Sequence, residues 1–118
     1  RVGVIGSRKF PFPQAVKLFV MSLPQGSVVI SGGCSGPDTW AEEAARNAGL
    51  ETKIFLPELP PKGSPRHKFT EAFYSRNRLI AENSDVLHAF VSPDHKGGTE
   101  YTIKYAQKIG IPAMIHTI

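Results

Sequence analysis

Short apolar runs alternate with amphipathic stretches along the whole chain. Val2–Ile5 is apolar throughout and stops at Gly6, the pattern of a strand buried on both faces. Val16, Phe19, Val20 and Leu23 recur at helical spacing; Pro13 opens that helix, and Pro24 and Gly26 close it. Val28–Ile30 predicts a second strand. Pro37 to Ala48 predicts a second helix, with proline at its start, Asp38 in its first turn and Gly49 just past its end. Thr52–Leu56 reads as a third strand, and the proline-rich stretch 57–65 as an irregular loop. A third helix follows, from about Pro65 or Phe69 to Asn83, then a fourth strand at Val86–Val91. A fourth helix is expected from Thr99 to Ile109, closed by Gly110, and a fifth strand from Pro112 to Ile118.

This order predicts an α/β fold: a single Rossmann-like, three-layer domain over residues 1–118 with a five-stranded, mostly parallel sheet in the order 3-2-1-4-5. In open α/β sheets ligands sit beyond the C-terminal strand ends, where the strand order reverses. Three glycine-rich turns fall at that edge: Gly6-Ser7-Arg8, Ser31-Gly32-Gly33-Cys34-Ser35-Gly36, and Lys96-Gly97-Gly98-Thr99. The turns at Gly6 and Gly97 then face each other across the crevice, with the turn at Gly32 beside them. A helix N-terminus offers unpaired N–H donors and a positive dipole end, and glycine lets an anion approach the backbone closely. Three such turns in a chain of 118 residues predict one pocket built for phosphate.

Composition narrows this only a little. An apolar fraction of 41% and a charged fraction of 20% are those of a soluble globular protein. No apolar run is long enough to span a membrane, and Arg1-Val2-Gly3-Val4-Ile5 reads as strand rather than secretory signal. A single cysteine excludes an internal disulfide and points to the reducing cytoplasm. The net charge of +4 suits a phosphorylated small molecule, a nucleic acid or an ordinary basic surface, and does not choose among them.

Candidate chemistry concentrates at the turns. Gly6-Ser7-Arg8 joins a flexible turn, a hydroxyl and a guanidinium able to pair bidentately with phosphate. The segment around Gly32, Gly33 and Gly36 is neither a Walker A loop nor a G-x-G-x-x-G fingerprint, yet it has the make-up of a backbone nest for anions. Asp38 reads either as a helix first-turn carboxylate or as a group that hydrogen-bonds a ribose or base. Cys34 is expected to fill space and Trp40 to pack. Arg76 interrupts the apolar stripe Phe69, Ala72, Phe73, Ile80, where a charge needs a partner or a ligand. Nine residues of helix rise about 13 Å and a seven-residue strand about 23 Å, so a long side chain at Arg76 reaching upward approaches the pocket edge. The alternative is an ion pair with a neighbouring carboxylate. Phe69–Tyr74 would then project beside the site, as a lid or a dimer contact. At the third turn, Gly97, Gly98 and Thr99 are candidate phosphate ligands, with Thr99 also a helix cap. Glu100 is either a favourable first-turn charge or, in the catalytic reading, a general base or an oxocarbenium stabiliser. His67, His88, His95 and His116 show no metal-ligand spacing, so no metal site is expected. His95 lies close enough to the third turn to touch a ligand.

Taken in order, Gly6-Ser7-Arg8, Ser31-Gly32-Gly33, Gly36-Pro37-Asp38, Arg76-Asn77-Arg78, Ser84-Asp85, Gly97-Gly98-Thr99 and Gly110-Ile111-Pro112 resemble the SLOG superfamily. That superfamily joins the DNA-processing protein A (Smf) proteins to the "lonely guy" phosphoribohydrolases. The size and the Gly-Ser-Arg opening are most similar to the stand-alone, YspA/YpsA-related members. The resemblance implies a nucleotide or nucleotide derivative at the glycine turns, no required cofactor, and a homodimer or higher homo-oligomer. Asn77 joins Asp38 as a reader of sugar or base. The phosphoribohydrolase motif Pro-Gly-Gly-x-Gly-Thr-x-x-Glu is matched at Gly98 and Thr99, and its helix arginine at Arg76. Its glutamate position is Thr102 here, however, and Glu100 comes two residues early, which argues against that hydrolysis. The DNA-processing branch implies single-stranded DNA as the alternative partner, with Arg8, Lys9, Phe10, Arg66, Lys68, Phe69 and Arg76 as its basic and aromatic groove.

Overall fold

The computed structural model describes residues 1–93 and 97–117. Adjacent residues of the strands point to opposite faces of one sheet, and each face has its own core. Val4, Val29 and Phe90 pack with Val16 and Val20 of helix α1 (Pro13–Met21) and with Ala41, Ala44 and Ala45 of α2 (Pro37–Asn47). Their chain neighbours Ile5, Ile30 and Ala89 pack on the other face, with Ile80 and Ala81 of α3 (Arg66–Glu82) and Ile103 and Ala106 of α4 (Gly98–Lys108). That is why the central strands are apolar at consecutive positions rather than at alternate ones.

The strands are β1 (Val2–Gly6), β2 (Val28–Ser31), β3 (Glu51–Ile54), β4 (Val86–Phe90) and β5 (Ala113–His116). They form one five-stranded sheet in the order β3-β2-β1-β4-β5, and every pairing is parallel. The expected strand order and the Rossmann-like architecture are therefore what the chain adopts. Helix α3 begins at Arg66, with Pro65 before it, and β5 is shorter than its apolar run suggested. Helix α4 starts one residue early, at Gly98, with Gly97 as its N-cap. Thr99 is thus the second helical residue and not the cap. Trp40 packs against the first core, as expected.

His88 and His116, on neighbouring strands, place Nδ1 and Nε2 2.9 Å apart beside Phe19 and Phe90. Burial lowers both imidazole pKa values, and the charge of His116 lowers that of His88 further. Among the described residues no helix is long and apolar enough to cross a membrane.

Candidate functional site

The order of the sheet reverses between β1 and β4, and the chain leaves β1 there through Gly6. A side chain on Gly6 would place its Cβ 2.4 Å from Pro37 Cγ and 2.8 Å from the Phe90 carbonyl oxygen. Glycine therefore lets the start of α2 seat directly on the end of β1. The Ser7 amide donates to the Phe90 carbonyl at 3.0 Å, which fixes the direction of the Ser7-Arg8-Lys9 turn. Helices α2 and α4 both start from a glycine with φ above +90°, Gly36 and Gly97, and neither N-cap residue makes a side-chain cap hydrogen bond. Only glycine adopts those dihedrals easily. A glycine N-cap supplies no side-chain acceptor to the turn that follows it.

These elements enclose a cleft of about 420 Å³. From β1 and its turn come Ile5, Gly6, Ser7, Arg8 and Lys9; from the second turn and α2, Cys34 and Asp38. Helix α3 contributes Thr70, Phe73, Tyr74, Arg76 and Asn77, and the start of α4 contributes Gly97, Gly98, Thr99 and Thr102. Of the residues expected at a pocket, the structure brings together Gly6, Ser7, Arg8, Asp38, Arg76, Asn77, Gly97, Gly98 and Thr99. Gly32, Gly33, Gly36 and Glu100 are not among its lining. His95 and Lys96 lie outside the described residues.

Arg76 is the main surprise. Its guanidinium is buried and reaches the second turn, as the apolar stripe implied, but it is spent on the protein itself. Nη1 donates to the Gly32 carbonyl at 2.5 Å and the Phe55 carbonyl at 3.4 Å, Nη2 reaches Cys34 Sγ at 3.1 Å, and Nε donates to Asn77 Oδ1 at 2.7 Å. Gly32 is glycine for this reason, since a Cβ there would meet Nη1 at 2.5 Å. Arg76 thus ties α3 to the β2 and β3 ends and forms one wall of the cleft.

Asp38 takes the structural role that its place in the first turn allowed. Its Oδ2 accepts from the amides of Gly32 at 3.1 Å and Cys34 at 3.4 Å, folding the glycine turn around it. It is also the one carboxylate among the described residues that line the cleft. Burial pushes its pKa up to about 6, against the pull of Arg76, the Cys34 and Gly32 amides, and Arg8. The folded state therefore holds the proton more tightly than the unfolded chain. The stability this gives is fully present below about pH 3.8 and is lost as pH rises through about 6. The shift is worth about 3 kcal/mol. His88 and His116 have the opposite sign, because their lowered values withdraw stability as pH falls. Their part cancels when two variants are compared. Asp38→Asn should therefore gain up to about 3 kcal/mol on the parent between pH 4 and 7, read by urea unfolding across that range. A difference that stays flat with pH would contradict the buried carboxyl.

The opposite wall is built by α3 against α4. Asn77 Nδ2 donates to the Gly98 carbonyl at 3.5 Å, and Thr102 Oγ1 donates to the same oxygen at 2.7 Å. Thr70, Phe73, Tyr74 and Asn77 recur at spacings of three and four and form one strip of α3. That periodicity is visible in the sequence, but only Asn77 was expected as a ligand contact; Thr70, Phe73 and Tyr74 fall in the segment expected to project beside the site, and Thr102 was not expected on the lining. Phe10, expected as a stacking group, is a core residue instead. Arg66, Lys68 and Phe69 do not line the cleft. Among the described residues no group of three or more His, Cys, Asp or Glu side chains is placed to hold a metal ion.

This chain is similar in fold to DNA processing protein A from Streptococcus pneumoniae. The two superpose with a TM-score of 0.78 at 23% identity, over 98% of this chain and 49% of that one. The chain thus spans about half the length of that protein. No family model matches the chain, and no curated protein does. At such an identity the likeness to DNA processing protein A is one of fold: the same layered α/β arrangement carries the cleft described above.

Proposed function

We propose that the cleft binds a nucleotide or a nucleotide derivative through its phosphate. The observation that carries this reading is convergence. A turn bearing a hydroxyl and the Arg8 guanidinium, Ser7-Arg8-Lys9, and the glycine start of α4 line the same cleft at the reversal of strand order. Phosphate would take the amides of Gly98 and Thr99 with the side chains of Ser7, Arg8 and Thr99, while Asn77 and Asp38 border the space left for the sugar. Arg76 supports this indirectly, by holding the wall. N-glycosidic hydrolysis is disfavoured. Thr102, bonded to the Gly98 carbonyl, stands where the resembled phosphoribohydrolase motif has its glutamate, and Glu100 is not on the lining.

The test is a thermal-shift series with nucleoside mono-, di- and triphosphates, NAD and ADP-ribose, repeated on Arg8→Ala. Arg8 is exposed, so its removal should leave the fold alone. A ligand at a hundred times its dissociation constant adds about 2.7 kcal/mol, a shift of roughly 10 °C for a domain of this size. The expected result is a shift with at least one nucleotide that Arg8→Ala reduces to a few degrees. No shift with any of them would overturn the reading.

A second reading is favoured by the likeness to DNA processing protein A and by the net charge of +4. Here the same basic turn contacts single-stranded DNA. Multiple phosphate contacts make affinity fall steeply with salt. An oligonucleotide whose binding weakens at least a hundredfold between 50 and 200 mM salt, about the scale several phosphate contacts impose, would favour this reading over a single nucleotide.

A further inference from the structure

The cleft lining combines two chemistries, and a phosphate site uses only one of them. Beside the cations and glycines it carries the aromatic rings of Phe73 and Tyr74. Tyr74 is built differently from a ring that merely closes a core. It is half-buried, it lines the cleft, and one of its faces is covered by Tyr101, with ring centroids 4.0 Å apart and planes only 4° from parallel. Tyr101 does not line the cleft; it stands behind Tyr74. Its hydroxyl accepts from Arg78 Nη1 at 2.8 Å, and Arg78 is itself held by Glu71 at 2.8 Å. Tyr105 continues the stack behind Tyr101, with centroids 6.4 Å apart and planes 13° from parallel, and its hydroxyl donates to Glu82. Three tyrosines therefore form a braced row that ends at the cleft, and the stack on Tyr101 leaves Tyr74 its other face and its rim.

We propose that Tyr74 is the stacking platform for the base of the ligand, so that the cleft selects phosphates that carry a nucleobase over sugar phosphates and inorganic phosphate. This rests on the nucleotide reading of the cleft. A flat aromatic face accepts any base, because every base has a π-face. A ring already fixed by Tyr101 and Arg78 loses little freedom when a base is laid on it. Phe73 is less suited to the role, since the Arg76 guanidinium already stands over its ring, 5.8 Å from the centroid. The start of α4 lies beside the ring: a Cβ on Gly98 would stand 3.9 Å from Tyr74 Cε1. Base and phosphate contacts thus come from adjoining elements of one wall.

The experiment is calorimetric binding of the four nucleoside 5′-monophosphates and of ribose 5-phosphate to the full chain, to Tyr74→Leu and to Tyr74→Phe. Stacking on an aromatic side chain changes affinity by roughly 5- to 150-fold per base. The parent protein should prefer its best nucleotide to ribose 5-phosphate by about tenfold or more. That ratio should collapse towards one in Tyr74→Leu and be restored in Tyr74→Phe. A second readout needs no substitution: the fluorescence of 2-aminopurine riboside 5′-monophosphate should be quenched on binding. Equal affinity of the parent for both kinds of probe, a ratio that Tyr74→Leu leaves in place, or unquenched bound 2-aminopurine would overturn the stacking assignment and leave the phosphate site standing. Binding of none of the probes would overturn the nucleotide reading, and the platform with it.

Discussion

Arg76→Met is expected to cost about 3–5 kcal/mol of stability, the loss typical of breaking a buried charge cluster from one side. For a domain of this size that is a fall in Tm of order 15 °C. Methionine keeps most of the apolar stem but none of the donors. The carbonyls of Gly32 and Phe55 lose the groups that satisfy them, and the buried Asp38 carboxylate loses the cation that does most to lower its pKa. Removing the carboxylate as well should return part of the loss, so Arg76→Met/Asp38→Asn should be more stable than Arg76→Met alone above pH 6. Urea unfolding of the four proteins in a double-mutant cycle measures the coupling. A loss below about 1 kcal/mol in Arg76→Met would mean that the guanidinium is available to a ligand after all. The practical consequence concerns ligand assays. Lost binding in an Arg76 variant has two explanations, a missing contact and a collapsed wall, whereas lost binding in an Arg8 variant has only the first.

Arg76 also shows where reading the sequence stops. Its position on an apolar stripe marked it as a charge that needs a partner or a ligand, with a ligand at the pocket edge preferred and a carboxylate the alternative; the structure gives it partners inside the protein. The partners are backbone carbonyls at Gly32 and Phe55, however, and a carbonyl has no signature in the sequence, because every residue has one. The same limit applies to Asp38. Its place in the first turn of α2 was legible, but not that its carboxylate would fold back on the amides of Gly32 and Cys34. What was legible depends on periodicity and on chain direction. Consecutive apolar positions in β1, β2 and β4, separated by amphipathic helices, are enough to imply a parallel sheet covered on both faces. The turns after β1 and before α4 then have to lie on one edge. Tyr74 falls between these cases. Its spacing from Thr70 and Asn77 puts it on their strip, but nothing in the spacing announces that Tyr101, on another helix, lies flat against it.

Gly6→Ala is expected to cost about 2–3 kcal/mol, at the upper end of what overpacking a core by one methyl usually costs. The reason is the rigidity of what the methyl would strike. The three nearest atoms are Cγ and Cβ of Pro37, at 2.4 and 2.6 Å, and the carbonyl oxygen of Phe90, at 2.8 Å. A proline ring on the first turn of a helix cannot rotate away, and the Phe90 oxygen already accepts the Ser7 amide. Either α2 must slide outward or β1 must part from β4, and both movements open the cleft. Gly49→Ala is the fitting contrast. Its φ of +75° strains any side chain, but nothing lies within 4 Å, so only the left-handed penalty of roughly 1–2 kcal/mol applies, and the cleft stays shut. Thermal unfolding of the two variants with saturating nucleotide separates them. Gly49→Ala should keep the full ligand-induced shift at its lower Tm, while Gly6→Ala should lose most of it. Adding Pro37→Ala removes the ring but not the Phe90 oxygen, so Gly6→Ala/Pro37→Ala should recover part of the stability and not all of it. A Gly6→Ala protein within about 0.5 kcal/mol of the parent would show that the start of α2 does not bear on the end of β1. The glycine at the first turn would then have to be explained by the ligand rather than by the fold.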